Sequence, residues 1–260
     1  MLIFFDIDGT LVGEDGRVIP ESARTAVQRA RANGHICMIN TGRTQTLVGT
    51  ELTKQTEFDG LIMGCGTMVV YRGETLLHET FSPKDGAQII DGLRRYEIDA
   101  CLEGTENNYR DSDDRIFTET YRRFISRFDG FGYDSFQEAS GHFDKFYAYV
   151  DRLEKMDGFR REFADKLDFV DRTGGFFEIM PKGFSKASAM DFVAGTLGIS
   201  MEETVAIGDS SNDIPMIKRA HLGIAMGNAT EDVKEIADYV STDITDNGIE
   251  NALRWLGVIS

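Results

Sequence analysis

Residues 2–5, Leu-Ile-Phe-Phe, form an unbroken apolar run that stops at two carboxylates, Asp6 and Asp8, with Gly9 and Thr10 directly behind them. A short run without polar alternation suits a strand buried on both faces of a parallel sheet. Ligands of open α/β sheets collect at the carboxyl ends of the strands, which would put these acids at the mouth of a site. Side chains two apart on a strand point the same way, so Asp6 and Asp8 are expected to converge on one small target. An acidic turn that merely closes a strand is the ordinary alternative, since Asp and Gly are common in turns.

The same punctuation recurs along the chain. Ile36-Cys-Met-Ile39 ends in Asn40-Thr-Gly-Arg43, and Thr204-Val-Ala-Ile207 ends in Gly208-Asp-Ser-Ser-Asn-Asp213. Between the first two runs, Pro20-Glu-Ser22 opens a helix with Ala23, Ala26, Val27 and Ala30 at helical spacing, and Gly34 closes it. Leu61-Ile-Met63 reads as a third strand. Thr67 to Tyr71 with Thr75 to Thr80 predicts a hairpin around Arg72-Gly73, and Leu11 to Ile19 a smaller one around Glu14-Asp15-Gly16. Toward the end, Ser185 caps a helix through Leu197, another helix runs from about Ile214 to Ala220, and Leu222 to Met226 and Tyr239-Val240 add strands. Alternating strands and helices predict an α/β chain with a doubly wound, Rossmann-like parallel sheet.

The middle departs from this pattern. Pro83-Lys-Asp-Gly86 and Pro181-Lys-Gly183 bracket it and read as paired linkers. Between them helices are expected near 84–96, 116–127 and 153–166, and strands near 100–103, 145–150, 168–171 and 176–180. Asp111-Ser-Asp-Asp114 reads as a solvated turn and helix cap. The expected organisation is a core from residues 1–81 and 183–260, with an α+β cap domain, 82–182, inserted into it.

Composition narrows the function. The formal net charge is -16 with the acids spread along the chain, which argues against a nucleic-acid partner. No apolar stretch is long enough to span a membrane, and no basic region precedes the first strand as a signal peptide would require. Cys37, Cys65 and Cys101 are widely spaced without a C-x-x-C pair, so disulfides and a zinc site are not expected, and a reducing cytoplasm is the natural setting. A chain this acidic that handles an anion must gather positive charge locally, from a metal ion or a few placed cations. Lys186, in the first turn of its helix, opposes the helix dipole and makes sense there beside a bound anion. Alone, Lys186 reads rather as a solvent-exposed lysine, and Thr41 as a helix cap.

Taken together, the clusters resemble the haloacid dehalogenase superfamily, and within it the Cof-type sugar-phosphate phosphatases with a type II cap. Asp6-Ile-Asp-Gly-Thr10 is similar to the first motif of that family, Thr41-Gly42-Arg43 to the second, Lys186 to the third, and Gly208-Asp-Ser-Ser-Asn-Asp213 to the fourth. Gly223-Ile-Ala-Met-Gly-Asn228 matches a further family stretch. Relatives usually carry Asn-Gly after the third strand, where this chain has Gly64-Cys65-Gly66.

The resemblance implies a Mg2+-dependent hydrolase of small phosphorylated metabolites such as sugar phosphates. Asp6 would be the nucleophile, forming an aspartyl-phosphate, and Asp8 the acid and then the base. Mg2+ would be held by Asp6, the backbone carbonyl of Asp8 and Asp209, steadied by Asn212 and Asp213. Thr41 and Lys186 would hold phosphoryl oxygens, with Thr10, Gly42 and Asn212 in the substrate-binding set. Arg43 is open between a substrate contact and a structural ion pair. Glu178 is the cap's candidate for the leaving group, with the solvent face of an edge strand as its alternative. A phosphosugar mutase needs the same first half-reaction, and a receiver-like switch groups similar residues around Mg2+; both stay as alternatives. No motif fixes the oligomeric state, for which a monomer or weak homo-oligomer is the expectation.

Overall fold

The computed structural model describes residues 1–13, 17–126, 133–139 and 142–260, with Thr50 and Glu51 described by their backbone alone. The turn expected at Glu14-Asp15-Gly16 and the end of the helix expected to reach Arg127 lie outside the described residues. No helix of the described residues is long and apolar enough to cross a membrane.

The chain opens with β1 (Leu2–Phe5), α1 (Glu21–Ala32), β2 (Ile36–Asn40), α2 (Gln45–Thr53), β3 (Gly60–Met63), β4 (Met68–Tyr71) and β5 (Glu74–His78). Then come α3 (Pro83–Arg95), β6 (Asp99–Glu103), β7 (Asn108–Arg110), α4 (Glu119–Ser126), β8 (Tyr133–Ser135), α5 (Phe136–Ala139), β9 (Lys145–Tyr149), α6 (Leu153–Glu162), β10 (Leu167–Asp171) and β11 (Phe176–Pro181). It closes with α7 (Lys186–Leu197), β12 (Thr204–Gly208), α8 (Ile214–Arg219), β13 (Leu222–Ala225), α9 (Glu231–Lys234), β14 (Tyr239–Val240) and α10 (Gly248–Trp255).

These elements form two compact units. The first comprises Met1–Arg43, Val48–His78 and Ser185–Ser260, and the second Thr44–Leu47 and Glu79–Phe184. In the first unit the strand order is β14-β13-β12-β1-β2-β3-β4-β5, parallel from β14 to β3 and antiparallel through β4 and β5. Leu2, Ile3, Phe4 and Phe5 are all fully buried. Since alternate side chains point to opposite faces, both faces of the sheet at β1 are covered, which is why its sequence is apolar without alternation. On α1, the buried positions are Ala23, Ala26, Val27 and Ala30, the stripe that its helical spacing predicts.

The second unit is a six-stranded sheet, β10-β11-β9-β6-β7-β8, antiparallel except for the β7–β8 pair. Its own core joins Ile89, Leu93, Met156 and Phe159 from α3 and α6 to Leu102, Phe146, Ala148 and Ile179 from the sheet. The short β7 and β8 carry no apolar run, so neither was expected from the sequence. Pro83 and Pro181 do not sit in linkers. Pro83 is the first residue of α3, where a missing N–H leaves no helical bond unmade, and Ser82 caps it. Pro181 is the last residue of β11, opposite Leu167.

Candidate active site

The site is built in the first unit, at the carboxyl ends of β1, β2 and β12 and the first turn of α7. The Asp6 N–H donates to the carbonyl of Ile207 at 3.0 Å, carrying the β1–β12 ladder one residue past the strand. The chain then wraps tightly: the N–H groups of Thr10, Leu11 and Val12 all donate to the carbonyl of Ile7, at 3.2, 2.9 and 2.9 Å. Gly9 takes φ +82°, and a Cβ there would lie 2.2 Å from Asp209 Oδ2, so the carboxylate of Asp209 occupies the space that any other side chain would need.

Lys186 is the centre of the arrangement. Its side chain is 0 % exposed, and Nζ donates to Asp6 Oδ1 at 2.5 Å and to Asp213 Oδ1 at 2.6 Å. Burial alone would lower its pKa, but the charges of Asp213 and Asp6 outweigh burial and leave it raised, so the ammonium is permanent. The solvent-exposed alternative for Lys186 is therefore excluded. Ser185 caps α7 through a reciprocal pair with Ser188, which fixes where the helix begins and so where Lys186 projects.

Asp213 uses its other oxygen, Oδ2, to accept the N–H groups of Asp209 and Ser210, both at 3.0 Å, closing the turn after β12. Thr10 is buried and its hydroxyl donates to Asp209 Oδ1 at 3.1 Å. Carboxylate oxygens of Asp6, Asp209 and Asp213 lie within 4.8 Å of one another. Such a set offers oxygen donors alone, which suits a hard divalent cation. The charge balance agrees. The carboxyl of Asp6 is pushed well above the ordinary range, first by burial and then by Asp213, with Lys186 pulling the other way and Asp209 adding to the rise. One ammonium does not neutralise three crowded acids, and a cation among them would.

Asp8 points elsewhere. Its side chain is 59 % exposed and both oxygens accept from Arg43, Oδ2 from Nε at 2.9 Å and Oδ1 from Nη2 at 2.5 Å. The Thr41 hydroxyl, almost fully buried, accepts the N–H of Arg43 at 3.1 Å, and Gly42 lies half-buried in the same turn. Asn212 Oδ1 accepts the Ser210 hydroxyl at 2.9 Å. Cys65, at the departure from the family pattern, adopts φ +55° and its N–H donates to the carbonyl of Thr41 at 3.0 Å. That left-handed conformation is one in which Asn is enriched, so a cysteine holds a backbone geometry better suited to the usual residue.

Glu178 belongs to the second unit. It sits on β11, between β10 and β9, and is buried, so it does not lie on the solvent face of an edge strand. Its carboxylate pairs with Lys145 Nζ at 3.0 Å and Arg172 Nη1 at 3.5 Å, and Lys145 also pairs with Glu103.

Two residues at the site had no role assigned from the sequence. Asn40, fully buried at the end of β2, donates from Nδ2 to the carbonyl of Lys186 at 3.0 Å. Asn228 donates from Nδ2 to the carbonyl of Gly9 at 2.7 Å and accepts the N–H of Ile244 at 3.0 Å, joining three loops. A polar residue closing an otherwise apolar strand was the signal available for Asn40.

Comparison with known proteins gives the family. Residues 3–253 match the family model for haloacid dehalogenase-like hydrolases. The phosphatase YwpJ of Bacillus subtilis is 30% identical, over 98% of this chain and 99% of its own. The 5-amino-6-(5-phospho-D-ribitylamino)uracil phosphatase YcsE of the same organism is 29% identical, over 98% and 95%. Among solved structures, the HAD subclass IIB sugar phosphatase BT4131 superposes with a TM-score of 0.83 at 26% identity, covering 99% of both chains. BT1666 from Bacteroides thetaiotaomicron, studied among phosphatases of the same superfamily, gives a TM-score of 0.86 at 25% identity, over 99% of this chain and 95% of that one. A buried lysine between two aspartates at the ends of parallel strands, a family match over nearly the whole chain and phosphatases as full-length relatives lead to one assignment: the chain belongs to the haloacid dehalogenase-like hydrolases.

Proposed function

We propose that the protein is a Mg2+-dependent phosphomonoesterase of small phosphorylated metabolites, sugar phosphates foremost, that works through an aspartyl-phosphate on Asp6. The observation that carries this reading is the Lys186 ammonium clamped between Asp6 and Asp213, with Asp209 in reach of both acids. Full-length relatives that are phosphatases support it.

In this reading Asp6 attacks phosphorus, the P–O bond to the leaving group breaks, and Asp8 gives the departing alkoxide its proton. Asp8 then takes a proton from water, the hydroxide attacks phosphorus, and the P–O bond to Asp6 breaks to return the free carboxylate and inorganic phosphate. Lys186 and the Thr41 hydroxyl hold the phosphoryl oxygens, since neutralising and positioning charge is most of the work in phosphoryl transfer. Asp6, Asp209 and the backbone carbonyl of Asp8 would hold Mg2+. When bound, Mg2+ supplies positive charge that lowers the repulsion between Asp6 and the phosphate dianion and keeps Asp6 ionised. Thr10 and Asp213 orient Asp209: the Thr10 hydroxyl donates to its carboxylate, and the Asp213 carboxylate accepts its backbone N–H. Asn212 steadies the same turn through Ser210.

We assign discrimination among leaving groups to the inserted segment, 82–182, with Glu178 as its contact residue. The deciding experiment is phosphate release from p-nitrophenyl phosphate and from a panel of phosphorylated metabolites, with and without Mg2+. Turnover that needs Mg2+ supports the reading. Autophosphorylation without turnover, or isomerisation of a sugar phosphate faster than its hydrolysis, would replace it.

A further inference from the structure

Asn40 ends β2, a strand whose other residues are Ile-Cys-Met-Ile, and its side chain is completely buried. One end of the amide is used: Nδ2 donates to the carbonyl of Lys186 at 3.0 Å. The other end is not, because Oδ1 has no hydrogen-bond partner among the described residues. A buried acceptor left unpaired is destabilising, and an apolar side chain of the same size would avoid that cost. Residues that sacrifice stability in this way are expected where they serve a site.

The bond lands on the residue that matters most. Lys186 is the first residue of α7, and its ammonium reaches Asp6 and Asp213 only if that first turn is held in place. Ser185 and Ser188 set the start of the helix along the chain, through N–H contacts of 2.9 and 3.0 Å. Gly66 packs against the same turn: at φ +100°, a Cβ on it would come 2.5 Å from the carbonyl oxygen of Ser185. The capping pair lies within α7 and its cap, and Gly66 only allows close approach. The Asn40 amide is a directed bond from the central sheet to Lys186 itself.

We propose that Asn40 is a positioning residue for Lys186: its amide anchors the carbonyl of Lys186 to the end of β2, so that the ammonium is held between Asp6 and Asp213. The proposal rests on the phosphatase reading only for its kinetic consequence. Asn40 touches neither substrate nor metal ligand in this role and acts through Lys186 alone.

Asn40→Leu separates positioning from a structural role, because it removes the directed bond and the orphaned oxygen together while keeping the branched shape and the number of side-chain heavy atoms. If Asn40 positions Lys186, kcat/KM for p-nitrophenyl phosphate falls about tenfold, mostly in kcat. Mg2+ affinity by calorimetry stays within about twofold, and Tm holds or rises. A kcat/KM within about twofold of wild type overturns the proposal, and so does a loss of Tm in step with activity. If Asn40→Leu does not fold, Asn40→Ala is read by the same split. A crystal structure of the folded variant tests the role independently of turnover. Lys186 Nζ displaced from Asp6 or Asp213 supports the proposal, and both contacts kept at wild-type distances overturn it. A wild-type chain that releases no phosphate would count against the functional reading, while the variant structure would still decide the role of Asn40.

Discussion

Arg43 grips Asp8 with two parallel bonds, Nε to Oδ2 at 2.9 Å and Nη2 to Oδ1 at 2.5 Å, so both oxygens of the proposed acid are occupied. Each oxygen keeps a second lone pair, so the fork fixes where Asp8 sits while leaving it able to take and give a proton, which makes the pair a functional unit. Asp8→Ala should slow the first step on alkyl phosphates far more than on p-nitrophenyl phosphate, whose leaving group departs without a proton. Arg43→Ala should show the same bias, more weakly. The double variant should be no worse than Asp8→Ala alone, a non-additivity that single-turnover measurements on both substrates would read directly.

Replacing Asp6 by Asn keeps the shape and removes the nucleophile. Lys186 retains Asp213, so the variant should fold. Its Mg2+-dependent turnover should fall below about a hundredth of wild type. Steady-state phosphate release alongside a thermal melt checks both halves.

Gly9→Ala brings a methyl group into the carboxylate of Asp209, 2.2 Å from Oδ2, at a left-handed φ. The backbone term alone costs about 1–2 kcal/mol. Relief of the clash must come from moving Asp209, so calorimetry should show weaker Mg2+ binding as well as a lower Tm. A variant with a lower Tm and unchanged metal affinity would show that Asp209 is not a ligand.

Mg2+ should stabilise the protein, and the effect should depend on pH in a set direction. Burial, then Asp213, raises the carboxyl of Asp6 above the ordinary value of 3.8, with Lys186 opposing. Without metal, its contribution to stability is full below that ordinary value and lost as pH rises through the folded-state value. Mg2+ requires the ionised form and competes with the proton, so the gain in Tm on adding Mg2+ should grow as pH rises and shrink as pH falls. At a hundredfold excess over Kd the gain should be roughly 5–10 °C near neutrality. Melts with Mg2+ and with a chelator across pH test this.

Glu178→Gln keeps the volume and removes one charge from the cluster with Lys145, Arg172 and Glu103. Hydrolysis of p-nitrophenyl phosphate should stay within about threefold of wild type, while the ranking of sugar phosphates changes. An unchanged ranking would remove Glu178 from the specificity determinants.

Leu2–Phe5 and Val205–Ile207 were legible as parallel strands because burial on both faces leaves them wholly apolar, and because both runs stop at an abrupt polar turn. Helix starts with a side-chain cap, Ser185 above all, were legible for the same local reason. β7 and β8 were not, since Asn108–Arg110 and Tyr133–Ser135 are three residues each and owe their conformation to neighbours rather than to pattern. At the site, residue types announced the acids and Lys186. Partnership did not show: that Asp8 faces Arg43 while Asp6 faces Lys186 follows from the wrap around the Ile7 carbonyl, and that Asn40 meets Lys186 spans 146 positions of sequence. Glu178 had the mark of an edge residue, and only the strand order shows it enclosed.

β1 lies between β2 and β12, with Leu2 opposite both Ile36 and Thr204. The strand in the middle of the finished sheet is thus the first of the sheet to leave the ribosome, and one of its two neighbours follows only after the whole inserted segment. Until Thr204 emerges, Leu-Ile-Phe-Phe has one flank of unpaired N–H and carbonyl groups beside wholly apolar side chains, a ready template for pairing with another chain. The exposure of this strand is therefore an interval of translation and not a place on the surface of the completed fold. Messages that stall within the inserted segment should yield nascent chains that recruit chaperones or aggregate, even though the completed molecule hides that strand entirely.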